Sequence, residues 1–456
     1  MRELSLSDVA TYSKGVVDSS FEQLLVHSVS TDSRSIKKGD LFIALKGDSF
    51  NGHDFVQEAF TDGAVAVMVE EGVDLNVNSN TPVIVVRDTL SGLQEFAKNY
   101  RKSLNLTGVG ITGSNGKTST KDFIYSVLSE KFSVSATAGN YNNHIGLPLT
   151  VLEAEDQHDF GVWEMGMSNP GEIALLADIA KPNIGVITNV GVAHIETMGS
   201  RESIAIEKGS LAESVTGEGF VVLNAEDSYS KSIAERTQVR TVSVGFGDAD
   251  IRADEIAIES TSVSFVIDAK GERKEVFLPV PGRHMVLNAL MAVAIGVNEG
   301  LPLDVIAQGL SEAKLSGGRL QKREFGGVVI IDDTYNANPD STLAAIQCLA
   351  EMNCNGRRFA VIGGMAELGE MSESEHRKIG AEAVDLGIDF VLSVGEMAVQ
   401  VDEGAREGNK SYSQFFGKHK ECAEFINNEA CSGDLILIKG SRSSAMENVI
   451  SNLDIS

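Results

Sequence analysis

One short stretch constrains the fold of this 456-residue chain more tightly than its composition does. "LTGVGIT" (Leu106 to Thr112) is an apolar, β-branched run of the kind that forms a buried parallel strand. In "KTSTKDFIYSVLSE", Phe123, Ile124, Val127 and Leu128 recur at helical spacing, so a helix is expected to begin near Lys117. Between the two, Gly113, Ser114, Asn115 and Gly116 form a tight turn whose free N–H groups face the positive end of that helix, an anion cradle. Lys117 adds a point charge suited to the outer phosphates of a nucleotide, and Thr118 or Ser119 offers a hydroxyl to Mg²⁺. The general nucleotide pattern has a glycine five residues before Gly116, where Ile111 stands here. What remains is Gly113-x-x-Gly116-Lys117-Thr118, a shorter cradle.

The rest of the chain repeats the strand-then-helix theme. Its length implies about three domains. The first section, residues 1–88, mixes short strands ("LFIAL", "AVAVMV") with a helix around "HDFVQEAFTDGA". The second, residues 89–315, opens with a helix from Thr89 to Leu104. It then carries "FGVWEMGM", "NIGVITNV" and "GFVVLN" as buried strands, with "TSVSFVIDA" and "KEVFLPVPG" as an extended pair. The third, residues 316–456, alternates "VVIIDDTY", "FAVIGG", "FVLSVG" and "LILIKG" with helices. The expected class is therefore α/β, with parallel sheets covered on both faces and ligands beyond the strands' carboxyl ends. Glu164, Asn189, Asp332, Asp333 and Lys439 stand at such ends. A net charge of −27 argues against a nucleic-acid or acidic-membrane surface, although local loops can still gather cations around an anionic substrate. No apolar run reaches membrane-spanning length, and "MRELSLSDVATYSKG" lacks the apolar core of a signal peptide. The four cysteines have neither metal nor secreted-disulfide spacing and read as packing thiols in a cytoplasmic protein.

Over essentially its whole length the chain resembles the Mur ligase family. The family-level likeness rests on "TGSNGKT" (Thr112 to Thr118), "EMGM" (Glu164 to Met167), "TNVGVAHIETMGS" (Thr188 to Ser200), "IEKG" (Ile206 to Gly209) and "GRL" (Gly318 to Leu320). Likeness to the branch that adds a dipeptide rests on "TDSRSIKKGDLFIALKGDSFNGHDF", "GNYNNHIGLPLTVL", "DDTYNANPDS" and "KGSRSSAME". The resemblance implies three domains: a small N-terminal α/β domain for the substrate nucleotide, a central P-loop ATPase-like domain, and a C-terminal Rossmann-like domain. It also implies the reaction. ATP phosphorylates the terminal carboxylate of UDP-MurNAc-tripeptide, and the amine of D-Ala-D-Ala displaces phosphate from the resulting acyl phosphate. The implied protein is cytoplasmic and monomeric, with no nucleic-acid partner and no membrane insertion.

A carboxylate attacking a γ-phosphoryl group sets anion against anion, so positioning and charge neutralisation carry the catalysis. Glu164, a carboxylate at a strand end, suits Mg²⁺. The resemblance places His194 on a second Mg²⁺, and it matches Lys208 to a lysine that takes up CO₂ as a carbamate. Cations nearby favour the neutral amine, and a carbamate supplies oxygen to a metal. Asn288 matches a residue that contacts adenine, with Met285 standing where the family commonly has asparagine. Arg319 and Asp333 match residues that reach back to the ATP phosphates and ribose when the domains close. Ser33 and Arg34 resemble the substrate-nucleotide motif. Asn140, Asn142 and Asn143 lie where a peptide or phosphate would be hydrogen-bonded, and Asn336 and Asn338 mark the acceptor-specific loop. Gly364 stands where the family usually has an aspartate. Two other readings share the phosphate loop: another amide ligase of the superfamily, such as a folylpolyglutamate synthase or an amino-acid-adding sister enzyme, and a nucleotide-binding protein without turnover.

Overall fold

Strand-helix alternation resolves into three main sheets in the computed structural model, which describes residues 1–75, 81–408 and 410–454. The first is five-stranded, in the order Val16–Val17, Val83–Val86, Ala66–Glu70, Asp40–Ile43, Ser28–Ser30; all neighbours are parallel except the first pair. Asp88 then caps the connecting helix Thr89–Ser103 by accepting from the Ser91 N–H at 2.7 Å.

The central sheet has nine strands. Thr107–Thr112 lies between Phe160–Glu164 and Ile184–Ile187, parallel to both. The chain leaves Thr107–Thr112 through the helix Lys117–Ser129, fills one side of the sheet, then crosses to the other side at Ile184–Ile187. This order reversal opens a crevice at the carboxyl ends, where parallel sheets bind their ligands. The expected extended pair forms as Val263–Ala269 against Glu272–Leu278, antiparallel, and continues this same sheet through Ile251–Ile258. The third sheet runs Gln321–Phe325, Val328–Asp333, Leu435–Lys439, Arg358–Gly363, Phe390–Val394, Tyr412–Phe416, antiparallel only at the first pair.

Burial holds the phosphate-loop segment in place. Phe123, Ile124, Val127 and Leu128 are all fully buried, each contributing roughly 1.5–3 kcal/mol. They face the helix Arg283–Asn298, which is apolar nearly all round because it lies inside the domain. Truncating one of these side chains to alanine costs about 2–5 kcal/mol. One continuous apolar cluster includes Val109, Phe123 and Met285 of the central section and Cys348, Leu349 and Met352 of the C-terminal section. The seam between these sections is thus partly a packed core. No helix among the described residues is long and apolar enough to cross a membrane.

Candidate active site

Two glycines shape the loop. Gly113 has φ +153°, and a Cβ there would lie 1.8 Å from Thr188 Oγ1. Gly116 has φ +79°, and a Cβ would lie 2.5 Å from Asn288 Oδ1. Either position therefore excludes a larger residue on space and backbone conformation together.

The cradle differs from the sequence expectation in one respect. Ser114 N–H donates to the Asn189 carbonyl (3.0 Å) and Asn115 N–H to Asn189 Oδ1 (2.9 Å), so these two groups are held by the neighbouring strand end. Thr188 Oγ1 (2.5 Å) and Asn189 Nδ2 (3.0 Å) both donate to the Asn115 carbonyl. The anion-facing donors are then those of the first helical turn from Lys117, where Gly116 provides no side-chain cap. Asn189 and Thr188 fix the loop's shape, and only Asn189 stood out in the sequence, as a strand-end polar residue.

Behind the loop, charges and oxygens converge. Lys117 Nζ donates to the Gly113 carbonyl at 2.7 Å. Its pKa is pushed down, first by burial and then by the Arg319 charge, while Glu164 opposes the shift. Thr118 Oγ1 donates to Glu164 Oε2 at 2.7 Å, and Asn142 Nδ2 donates to Glu164 Oε1 at 2.8 Å. Arg319 Nη2 donates to Thr118 Oγ1 at 3.1 Å, reaching across from the C-terminal section. Its guanidinium lies 3.8 Å from the ring centre of Tyr335, a contact that no spacing in the chain announces. Ser119 is buried one residue further along the helix. Asn288 is buried beside Gly116, with Nδ2 3.8 Å from Met285 Sδ.

Lys208 is almost fully buried at 1% exposure. Burial, and then the Lys117 charge, push its pKa well below the usual lysine value, with Glu207 opposing. Both effects disfavour its ammonium form. Glu207 itself accepts from Gly171 N–H (2.8 Å) and Ile173 N–H (2.7 Å), which fastens the start of the helix Glu172–Ala180.

His194 has left-handed φ of +63°, and its Nδ1 lies 2.5 Å from Glu367 Oε2 of the C-terminal section. No group of three or more His, Cys, Asp and Glu side chains suited to a metal occurs among the described residues. The expected metal residues thus do not converge as one all-protein cage: Thr118 and Glu164 touch, while His194 is tied to Glu367. Mg²⁺ is usually held by one or two carboxylates together with waters and substrate phosphates, so a cage is not required.

From the C-terminal section, Asn338 Nδ2 donates to Asn115 Oδ1 (2.7 Å) and Val192 N–H donates to Asp340 Oδ2 (2.9 Å). Asp333 pairs with Lys439 (2.6 Å), whose Nζ also donates to the Asn336 carbonyl (2.9 Å). Asn336 Oδ1 accepts from Ala337 N–H at 2.9 Å. Asn143 Oδ1 is spent locally on Ile145 and Gly146 N–H groups, and Asn140 is exposed. Ser33 and Arg34 lie in a short 3₁₀ turn capped by Asp32, whose carboxylate takes the Arg34 guanidinium at 2.8 Å. That pairing, through the side-chain hydrogen bond first, holds Asp32 down at about 2. Trp163 is fully buried, with the Arg101 guanidinium over its ring.

The chain belongs to the Mur ligase family, a class of ATP-dependent ligases. Family models match at residues 25–101 (Mur ligase family, catalytic domain), 111–296 (Mur ligase middle domain) and 318–442 (Mur ligase, glutamate ligase domain). Relatives that match over nearly the whole chain include UDP-N-acetylmuramoyl-tripeptide–D-alanyl-D-alanine ligases. That of Bacillus subtilis is 37% identical over 456 residues, covering 99% of each chain. Among solved structures, MurF from Acinetobacter baumannii superposes with TM-score 0.91 at 31% identity, covering 99% of each chain. MurF ligase from Thermotoga maritima in complex with ADP gives 0.84 at 31% identity, over 94% of this chain and 97% of that one.

Proposed function

We infer that this chain is an ATP-dependent amide ligase that joins D-alanyl-D-alanine to UDP-MurNAc-tripeptide through an acyl phosphate, in the cytoplasmic synthesis of peptidoglycan precursors. The observation that carries the reading is the contact of Thr118 with both Glu164 and Arg319 beside Lys117, in a chain alignable end to end with such ligases. The tripeptide carboxylate attacks the γ-phosphorus of ATP, and ADP leaves. The dipeptide amine then adds to the acyl carbon, loses a proton, and inorganic phosphate departs as the amide forms. Lys117 and Arg319 bring positive charge to the phosphates as negative charge shifts toward the leaving oxygen.

The residues fit Mg²⁺: Glu164 and Thr118 offer two buried oxygens in contact, and Lys208, buried where its ammonium form is disfavoured, is proposed to take up CO₂ as a carbamate. Thr118 and Glu164 would hold one ion, and a Lys208 carbamate would supply oxygen to the metal site. His194 would meet a second through Nε2, since Glu367 takes Nδ1 in the carboxylate–histidine arrangement typical of metal-bound imidazoles. When bound, the ions supply charge neutralisation for the phosphoryl oxygens. Ser33, Arg34, Asn140, Asn142 and Asn143 are proposed for UDP-MurNAc-tripeptide, and Asn336 and Asn338 for the acceptor loop. Asn288, Arg319 and Asp333 are proposed for ATP, and the three domains are proposed to divide near residues 88 and 315.

The test offers the purified protein ATP, Mg²⁺, UDP-MurNAc-tripeptide and a panel of amines, with products read by mass spectrometry. D-Ala-D-Ala is expected to be ligated far better than D-Ala, L-Lys or L-Glu. Equal product from a single amino acid, or glutamate added to folate, would move the chain to a sister ligase.

A further inference from the structure

The phosphate-loop helix carries a buried ion pair that the reaction does not use. Lys121 and Asp122 lie 2.8 Å apart with side chains only 7% and 9% exposed. Asp122 spends its other oxygen, Oδ2, on the N–H of Ser316 at 2.8 Å. Ser316 lies in the linker between the helix Leu303–Ser311 and the first C-terminal strand, Gln321–Phe325, three residues before Arg319. Asp122 and Thr118 are four apart on one helix and so share a face. The linker therefore runs alongside that face, pinned at Ser316 by Asp122 and meeting Thr118 through Arg319.

Hydrogen bonds continue from the other half of the pair. Lys121 Nζ donates to the Thr137 carbonyl at 3.0 Å, and Thr137 Oγ1 accepts from the Glu164 N–H at 2.9 Å. Glu164 Oε2 accepts from Thr118, and Thr118 accepts from Arg319. Followed round, the bonds close a ring: Ser316, Asp122, Lys121, Thr137, Glu164, Thr118, Arg319 and back along the linker. Each member except the linker residues is buried. Fixing the near end of the linker reduces the conformational freedom left to Arg319 before substrate arrives.

We propose that Asp122, oriented by Lys121, is a positioning residue: it anchors the interdomain linker so that Arg319 meets Thr118 in register with Glu164. The proposal rests on the ligase reading above. Asp122 touches no reacting atom, so its effect passes through Arg319.

The test is a kinetic cycle on the full chain in the D-Ala-D-Ala ligation assay, comparing wild type, Asp122→Ala, Arg319→Ala and the double variant. Asp122→Ala is expected to lower kcat by about tenfold or more while KM for ATP changes by less than about threefold. In the Arg319→Ala background the same substitution is expected to cost less than about twofold, because the residue it places is gone. A purely stabilising role would give the same loss in both backgrounds, and that result would overturn the proposal. So would Asp122→Ala within about twofold of wild type. If Asp122→Ala is recovered unfolded, Ser316→Pro carries the cycle, removing the linker N–H while leaving the ion pair intact. A large loss confined to the chain that retains Arg319 is again expected, and an equal loss with and without Arg319 again contradicts. Absence of ligation by wild type would instead count against the ligase reading.

Discussion

Lys208 makes the sharpest single-residue claim. A lysine with 1% exposure is held near Lys117, and both burial and that charge disfavour its ammonium form. Lys208→Ala is expected to lower turnover by roughly 10²-fold or more, with acetate or formate partly restoring it by supplying oxygens at the same place. Steady-state assays with and without the short acids decide the matter; full activity without them would refute the role. At this scale the sequence was most informative where function is local. Gly113, Gly116, Lys117 and Thr118 are adjacent in the chain, so their shared chemistry is visible without a fold. Asn189, Thr137 and Tyr335 meet the site from segments tens to hundreds of residues away, and no spacing rule announces such contacts. Ser114 and Asn115 illustrate the limit: a loop's glycines betray its turn, but which of its N–H groups are already bonded depends on the neighbouring strand.

Among elements, the helix Pro339–Glu351 does two things at once. Asn338 caps it in a reciprocal box with Ser341 and also donates to Asn115 of the phosphate loop. Asn338→Ala is expected to cost about 1 kcal/mol of stability from the cap. It should also weaken D-Ala-D-Ala ligation, and so should Asn338→Ser, which keeps a capping oxygen but lacks the amide donor to Asn115. Urea unfolding alongside ligation kinetics measures both; unchanged stability in Asn338→Ala would contradict the capping account. The apolar strands Phe160–Glu164, Ile184–Ile187, Phe220–Asn224 and Leu435–Lys439 were legible because both faces are buried. Gln321–Phe325 was not. It is a half-exposed edge strand of sequence QKREF, whose pairing with Val328–Asp333 is set by the turn between them. Ile251–Ile258 likewise reads as polar alternation and gains its place only by extending the nine-stranded sheet.

For the whole molecule, the seam between the central and C-terminal sections carries both charge and core. Burial of His284 in the central section lowers its pKa from 6.5 to about 4, with the Lys439 charge adding to the shift and Asp333 opposing it. Because the unfolded chain binds this proton near 6.5 and the folded chain only near 4, stability is full above pH 6.5 and declines as pH falls through that window. The loss approaches roughly 3 kcal/mol below pH 4. His376, also shifted downward by burial, adds loss of the same sign. Denaturant melts from pH 7 to pH 4 should show the decline, and His284→Gln should flatten it; an unchanged slope would contradict the desolvation. Across the same seam Arg319, Asn338, Asp340 and Glu367 reach the central loops, so the proposed chemistry belongs to the assembled domains rather than to the phosphate loop alone. The most direct measurement of that chemistry uses UDP-MurNAc-tripeptide carrying ¹⁸O in its terminal carboxylate, with ATP, Mg²⁺ and D-Ala-D-Ala. If the carboxylate is phosphorylated and then attacked by the amine, one ¹⁸O per amide formed leaves in inorganic phosphate. Amide product with phosphate free of ¹⁸O would contradict the acyl-phosphate account.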